Sequence, residues 1–294
     1  MAATARPRRS VLYMPGSNVR ALEKAKTLAA DGLILDLEDA VAPDAKVEAR
    51  ANVVAAAGNY GMREVLIRVN GLATPWGQAD VVAASGSTAD GILVPKVESA
   101  DMVRQVEAIM EANNAPAEMK IWCMIETPLG VLHVEDIAKS SPRLGGFVMG
   151  TSDLAKDMRC LHTTLRLPFL SAFNLCVMAA RAYGLAILDG VHLDLSDDEG
   201  FAASCTQGRE LGFDGKTLIH PKTIGAANAA FGPTEKEIAW SKTIIEAHAS
   251  AEKEGKGVVV VDGKLIENLH VVTAKQLVAE AEAIAALEAD LAAV

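Results

Sequence analysis

The sequence predicts an α/β protein, a (β/α)8 TIM barrel followed by a small C-terminal lid segment. Eight short, β-rich apolar runs each stop abruptly at polar or Gly/Pro residues, and alanine-rich helical stretches separate them. The runs are apolar throughout rather than alternating, as expected of parallel strands covered on both faces. Nothing in the chain marks the reversal of strand order that an open doubly wound sheet needs, so closure into a barrel is the better reading.

The runs open near Ser10 (SVLYMPGS), Gly32 (GLILDLED), Glu64 (EVLIRVNG), Gly91 (GILVPKVES), Lys120 (KIWCMIET), Gly146 (GFVMGTSDL), Leu185 (LAILDGVHL) and Gly215 (GKTLIHPKT). Between them, residues 19–30 repeat Val19, Leu22, Ala25 and Leu28 at helical spacing, and residues 100–112 repeat Met102, Val106 and Ile109. The barrel is expected over 1–232. Residues 233–294 begin as a charged, Gly-punctuated connector (PTEKEIAWSKTIIEAHASAEKEGKG) and continue with a short strand (VVVVDG) and an amphipathic tail. That piece is too small to fold alone and is expected to pack on its own barrel or on a neighbour's.

Composition narrows the function. Of 294 residues, 50% are hydrophobic, enough for a sizeable core, and the formal charge of −10 disfavours nucleic acid and anionic membrane surfaces as partners. No run approaches the roughly 18 apolar residues of a membrane span. The opening MAATARPRRS lacks the apolar centre of a secretory signal and reads as a frayed tail. Cys123, Cys160, Cys176 and Cys205 form no CxxC pair and read as buried thiols in a reducing cytoplasm. Met102, Met110 and Met178 read as core filler.

A parallel barrel does its chemistry at the carboxyl ends of its strands, and there the chain gathers its polar groups. Run two ends in Asp36, Glu38 and Asp39, run three in Arg68 and Asn70, run four in Lys96 and Glu98, run five in Glu126, and run six in Ser152 and Asp153. Neighbouring strands lie about 4.8 Å apart, so Glu126 and Asp153 can converge on one point. Two carboxylates there repel unless a cation lies between them. Mg2+, with Mn2+ as a substitute, suits an all-oxygen set that leaves positions open for water and substrate, and the lack of His or Cys argues against zinc. A carboxylate dyad sharing one proton is the alternative. Asp36, Glu38 and Asp39 fit as acceptors for the metal's waters.

Arg68 sits inside this acidic ring, where its fork suits a carboxylate or thioester oxygen, or a salt bridge to Asp36 or Glu38. The Pro15–Ser17 turn precedes a helix whose free N–H groups suit a phosphate. Gly215-Lys216-Thr217 mimics the end of a P-loop, but Glu210 stands where a glycine is required, which excludes one. His220, before Pro221, fits a structural role as well as a ligand contact.

In RSVLYMPGS, LDLEDAVAPDAKVEAR, IRVNG, VPKVES, IET, GTSDLA, DGVHLDLSDDEGF and GFDGKTLIHPKTI the chain resembles the CitE-like (HpcH/HpaI-related) acyl-CoA lyases, over almost its whole length and in the right order. The resemblance implies a (β/α)8 barrel, Mg2+ on Glu126 and Asp153, Arg68 on the acyl portion with Ser152 as a further substrate contact, and coenzyme A contacts around Tyr13, Met14, Lys24, Ile219 and His220. A cationic position of the family's CoA site falls on Asn18, with Arg20 as a substitute. It also implies a homotrimer or hexamer in which one subunit's C-terminal segment closes the next subunit's site.

One departure stands out. Where the lyases carry an aspartate in a GKMID-like lid motif, this chain reads Gly263-Lys264-Leu265-Ile266-Glu267. The acid is one methylene longer, which bears on a base that must reach carbon. The VVDGKLIENLH stretch resembles the malyl-CoA thioesterase branch. The expected activity is therefore Mg-dependent hydrolysis of malyl-CoA to malate and CoA, with Arg68 and Glu267 as catalytic residues. Reversible malyl-, citramalyl- or β-methylmalyl-CoA cleavage is the first alternative. A non-catalytic CoA-ester-binding subunit and an aldolase acting on free 2-oxo acids are the others.

Overall fold

The computed structural model describes residues 6–293, so residues 1–5 of the expected N-terminal tail lie outside them, while Arg9 and Ser10 at its end are buried rather than frayed. They divide into two compact units, Gly232–Ala293 making up nearly all of one and Arg8–Phe231 the other.

In the larger unit, β1 (Ser10–Pro15), β2 (Gly32–Asp36), β3 (Glu64–Arg68), β4 (Gly91–Val94), β5 (Lys120–Ile125), β6 (Leu144–Met149), β7 (Ala186–Asp189) and β8 (Gly215–Leu218) form a closed parallel barrel. Each strand pairs with its sequence neighbour, and β1 closes on β8. The intervening helices are α1 (Val19–Ala25), α2 (Lys46–Ala56), α3 (Gly77–Ser85), α4 (Ala100–Ala112), α5 (Pro128–Leu132), α6 (Val134–Ala138), α7 (Thr151–Met158), α8 (Leu170–Ala182), α9 (Asp198–Leu211) and α10 (Ile224–Phe231).

Alternation along each strand divides its side chains between two cores. Val11, Ile34, Leu66, Leu93, Trp122, Met124, Val148 and Leu188 fill the barrel, and a larger layer packs between strands and helices. Trp122 is the largest buried side chain. It fits because β6 carries glycine beside it: a Cβ on Gly146 would lie 2.5 Å from the indole ring.

Helix ends explain where periodicity misleads. The spacing of residues 19–30 continues past α1, but α1 stops at Ala25, and Val19 is exposed while Leu22 and Ala25 are buried. Arg63, buried on the far side, takes the carbonyls of Ala25, Lys26 and Leu28 at 2.7, 3.0 and 3.1 Å, satisfying groups a longer helix would have used itself. In α4 the buried face is Val103, Val106 and Met110, with Met102 and Ile109 half-buried at its edges. Met178 is exposed on α8, not core, and Cys160 is only partly buried, unlike the other three cysteines.

In the smaller unit the expected charged connector is instead a 19-residue helix, α11 (Glu235–Lys253). Thr234 and Glu237 form a reciprocal capping box at its start, a local signal that outweighs the charge density. A hairpin follows, β9 (Val259–Val261) and β10 (Lys264–Ile266), turned by Asp262 and Gly263 at φ 46° and 76°, the left-handed pair such two-residue turns require. Then comes α12 (Asn268–Ala292). Ile244, Ile266, Val271 and Ala274 form the unit's own apolar cluster.

Candidate active site

The carboxyl ends of β1 to β8 open into a cavity of about 360 Å3. Tyr13, Asp36, Asp39, Arg68, Glu126, Ser152, Asp153 and Ile219, all singled out from sequence, line it. Register brings the first pair together. Asp36 faces Arg68 across β2 and β3, and the guanidinium donates from Nε and Nη2 to the two Asp36 oxygens at 2.6 Å each.

The fork expected to hold substrate therefore holds Asp36. What remains of Arg68 is Nη1, which lies 2.9 Å from Glu38 Oε2 and 3.6 Å from Asp39 Oδ2. The guanidinium carbon stands 4.9 Å from the Tyr13 ring centroid, a cation–π contact. Burial works against the charge on Arg68, but the Asp36 bonds override it and raise its pKa. Burial likewise raises the Tyr13 phenol above its usual value, although Arg68 opposes this.

Glu126 follows β5 and is buried. Its Oε1 accepts from the Lys96 backbone N–H at 2.8 Å, and Lys96 adopts φ 50°, a strained conformation for a side-chain-bearing residue. The carboxylate rests against Gly150, where a Cβ would sit 2.3 Å from Oε2, so glycine is what leaves room for it. Burial, reinforced by the neighbouring Glu38 charge, pushes the Glu126 carboxyl up to about 7 against the opposing pull of Lys96. Asp153 lies in the first turn of α7 and accepts from Lys156 Nζ at 2.9 Å. Burial would raise its pKa, but Lys156 and Lys96 prevail and lower it.

The Lys96 ammonium marks where these acids meet. It lies 2.9 Å from Glu38 Oε1, 3.4 Å from Asp153 Oδ2 and 4.0 Å from Glu126 Oε1. Sequence reasoning read Lys96 only as a polar strand end; VPKVES was the signal available. It also passed over Lys46 of α2. Buried, Lys46 donates to the Leu37 and Glu38 carbonyls at 2.9 and 2.8 Å and fixes the acidic turn after β2. Asn70 is structural, bridging the Leu37 carbonyl and Asp80.

The mouth thus sets five carboxylates against Arg68, Lys96 and Lys156. An all-oxygen set with excess negative charge, three of whose acids meet at the Lys96 ammonium, fits a hard divalent ion. Among the described residues no three His, Cys, Asp or Glu side chains are grouped to hold a metal, so Glu126 and Asp153 would leave water and substrate oxygens to complete the shell.

Other expected positions lie elsewhere. The Met14 side chain packs in the helix-facing core, and Lys24 is exposed on α1. Asn18 caps α1, accepting from Ala21 N at 3.0 Å, which accounts for a short polar residue there. His220 accepts from Lys222 N at 3.1 Å, starting a short 3-10 turn. Glu267, half-buried in the smaller unit, precedes α12, and its backbone N–H donates to His270 Nδ1 at 3.0 Å.

With its polar groups gathered where (β/α)8 barrels act on substrates, the molecule is of the barrel-enzyme class. Within that class, the chain belongs to the HpcH/HpaI aldolase/citrate lyase family, whose model matches residues 9–221. It is 50% identical over 291 residues to a (3S)-malyl-CoA thioesterase of Cereibacter sphaeroides, covering 98% of this chain and 100% of that one. An L-malyl-CoA/beta-methylmalyl-CoA lyase of the same species is 36% identical over 311 residues, covering 97% and 98%. Among solved structures, CitE from Mycobacterium tuberculosis in complex with magnesium, acetoacetate and coenzyme A superposes with TM-score 0.75 at 25% identity, covering 95% of this chain and all of that one. RipC from Yersinia pestis gives TM-score 0.69 at 29% identity, covering 80% and 100%. No helix among the described residues is long and apolar enough to cross a membrane.

Proposed function

We propose that this protein hydrolyses a 3-hydroxy-dicarboxylic CoA thioester, malyl-CoA first among them, in a reaction that depends on Mg2+ held by Glu126 and Asp153. One observation carries the reading: Glu38, Glu126 and Asp153 all aim oxygens at the single cationic position taken by the Lys96 ammonium. The half-identity to a thioesterase over nearly the full chain, against 36% to a lyase, supports hydrolysis ahead of carbon–carbon cleavage.

Glu126 and Asp153 would hold the metal, which would supply Lewis acidity toward the oxygens of the bound substrate. Arg68, fixed through two of its nitrogens by Asp36, offers Nη1 to the thioester oxygen and stabilises the charge that develops there. Tyr13 and Ile219 line the cavity beside it and shield the acyl group from water. Ser152, exposed at the start of α7, is placed to donate to a substrate oxygen. Glu267 takes a proton from the water that attacks the thioester carbon, the C–S bond breaks and the departing CoA thiolate receives that proton. Alternatively, its carboxylate attacks the carbon and expels CoA thiolate, and water hydrolyses the resulting anhydride. In this reading Gly232–Ala293 acts as a lid over the site of a neighbouring subunit in a homotrimer or hexamer, and the protein works in the cytoplasm. CoA lies along Tyr13, the Met14 backbone, Lys24, Ile219 and His220.

Incubation with malyl-CoA and Mg2+, following free thiol and acetyl-CoA separately, tests the proposal. Thiol with malate supports it. Acetyl-CoA with glyoxylate makes the protein a lyase, and CoA-ester binding without any product makes it a binding subunit.

A further inference from the structure

A second cavity, of about 290 Å3, opens beside the mouth and meets it at Thr151, Val191 and Leu193. Its inner wall carries a cluster that the proposed chemistry does not use. Asp189, fully buried at the end of β7, accepts from Arg166 Nη1 at 2.8 and 2.7 Å, from Lys216 Nζ at 2.8 Å and from Gly190 N at 2.8 Å. Two cations thus share one carboxylate.

Arg166 spends its remaining donors on Gln207 Oε1 and the Ser204 carbonyl. Lys216 is 1% exposed, and the Asp189 contact is its one side-chain hydrogen bond among the described residues. An ammonium brought that deep with donors unspent carries a large desolvation cost, which an anion would offset. Independently, His192 Nε2 is buried on the same cavity without a hydrogen-bond partner.

The acids at the rim keep their charge, but local hydrogen bonds tie them to their own loop rather than to Lys216. Asp194 accepts from Ser196 N and Oγ at 2.8 and 2.6 Å, and Asp197 Oδ1 accepts from Gly200 N at 2.8 Å as the cap of α9. Asp197 Oδ2 is 3.7 Å from His192 Nε2. Phe169, Val191 and Leu193 supply apolar surface opposite the charges.

We propose that this annex is a second anion subsite, which takes a small carboxylate with its charged end on Lys216 and His192 and its carbon skeleton against Phe169 and Val191. The apolar wall, and two rim carboxylates that repel a more highly charged anion, favour a short-chain monocarboxylate over inorganic phosphate. The proposal goes beyond thioester hydrolysis, and its test requires neither metal nor thioester.

The probe is trifluoroacetate, followed by fluorine NMR on the full chain kept metal-free with a chelator. The expected result is a saturable shift displaced by butyrate and not by inorganic phosphate. Lys216→Met weakens it by about tenfold or more, the effect of losing one charge-assisted bond. Because Lys216 is packed on Asp189, Thr164→Phe serves as the second variant. It obstructs the cavity from an exposed position without touching the ion cluster, and should weaken binding equally. Circular dichroism verifies the fold of both. Absence of a saturable shift in the unmodified protein overturns the proposal. So does binding that survives Thr164→Phe but vanishes in Arg68→Met, which assigns the anion to the mouth. Displacement by phosphate as readily as by butyrate overturns the carboxylate assignment.

Discussion

Asp36 and Arg68 close neighbouring strands in one register, and their two 2.6 Å bonds consume the guanidinium fork before any substrate arrives. The pair is buried, with side-chain exposures of 8% for Arg68 and 1% for Asp36. The arginine is consequently held rigid, with Nη1 beside Glu38 and Asp39 rather than on Asp36, which is the preorganisation that charge stabilisation needs. Lys cannot imitate it, because an ammonium on a flexible stem lacks the planar fork that makes two parallel bonds to Asp36 while presenting a third nitrogen. Arg68→Lys should leave the circular dichroism spectrum unchanged and lower kcat by about 10^2 to 10^3, the usual loss of one oxyanion donor. A near-normal rate would confine Arg68 to a structural role.

Removing the other partner reads stability instead. Asp36→Ala strands a buried guanidinium between Glu38 and Tyr13, and such losses cost about 3–5 kcal/mol. Urea unfolding should show a clear fall in midpoint at an unchanged slope. A midpoint equal to that of the unmodified protein would mean that Glu38 alone suffices to hold Arg68.

Glu126→Gln and Asp153→Asn keep shape and remove charge. Each should abolish the heat of Mg2+ binding in calorimetry, and a chelator should stop turnover in the unmodified protein, with Mn2+ or Mg2+ restoring it. Full activity of either variant without metal would contradict the assignment of the two acids.

Much of this site was legible because strand ends are legible. The runs at Gly32, Glu64 and Lys120 are apolar between their opening residues and their carboxyl ends, so Asp36, Arg68 and Glu126 could be placed at the mouth from sequence and found lining one cavity. What sequence could not supply was the pairing within that ring. Whether Arg68 spends its fork on Asp36 depends on register, and Lys96 meets three acids from a left-handed backbone that no motif announces. Met14 shows the same limit from the other side. Alternation puts its neighbour Tyr13 in the barrel and Met14 against the helices, whichever residues a motif places side by side. The helix over Glu235–Lys253 was obscured by its charge, although its Thr234/Glu237 box was there to be read.

Lys96 competes with any cation brought to Glu38, Glu126 and Asp153. Coulomb attraction at about 4 Å near a protein surface is on the order of 4 kcal/mol before solvation is counted. Lys96→Met should therefore tighten Mg2+ binding by about tenfold or more, a small share of that figure. Because the Lys96 backbone N–H still donates to Glu126, the carboxylate should stay in place. Weaker Mg2+ binding in this variant would show that the ammonium assists the ion rather than displaces it.

Gly146 reports on the barrel interior independently of chemistry. A Cβ there meets the Trp122 ring at 2.5 Å and the Ala186 carbonyl at 2.7 Å, and neither can yield, since one is a fully buried indole and the other is strand backbone. Gly146→Val should lower stability by at least the roughly 1–3 kcal/mol typical of overpacked cores. Stability measured by thermal unfolding and equal to the unmodified protein's would mean that Trp122 has another rotamer available.

In the proposed reaction, Glu267 is the position at which hydrolysis and cleavage part. A carboxylate at the tip of a glutamate side chain reaches about 1.5 Å further than an aspartate's, one carbon–carbon bond, and proton transfer to carbon tolerates little misplacement. Its backbone N–H is tied to His270 Nδ1, so shortening the side chain withdraws the acid without letting the main chain follow. Glu267→Asp should accordingly lower thiol release from malyl-CoA and raise acetyl-CoA formation, both read in one assay by following thiol and glyoxylate together. If the two products fall in parallel, side-chain length does not decide between the reactions, and the preference for hydrolysis must come from the walls of the cavity around Arg68.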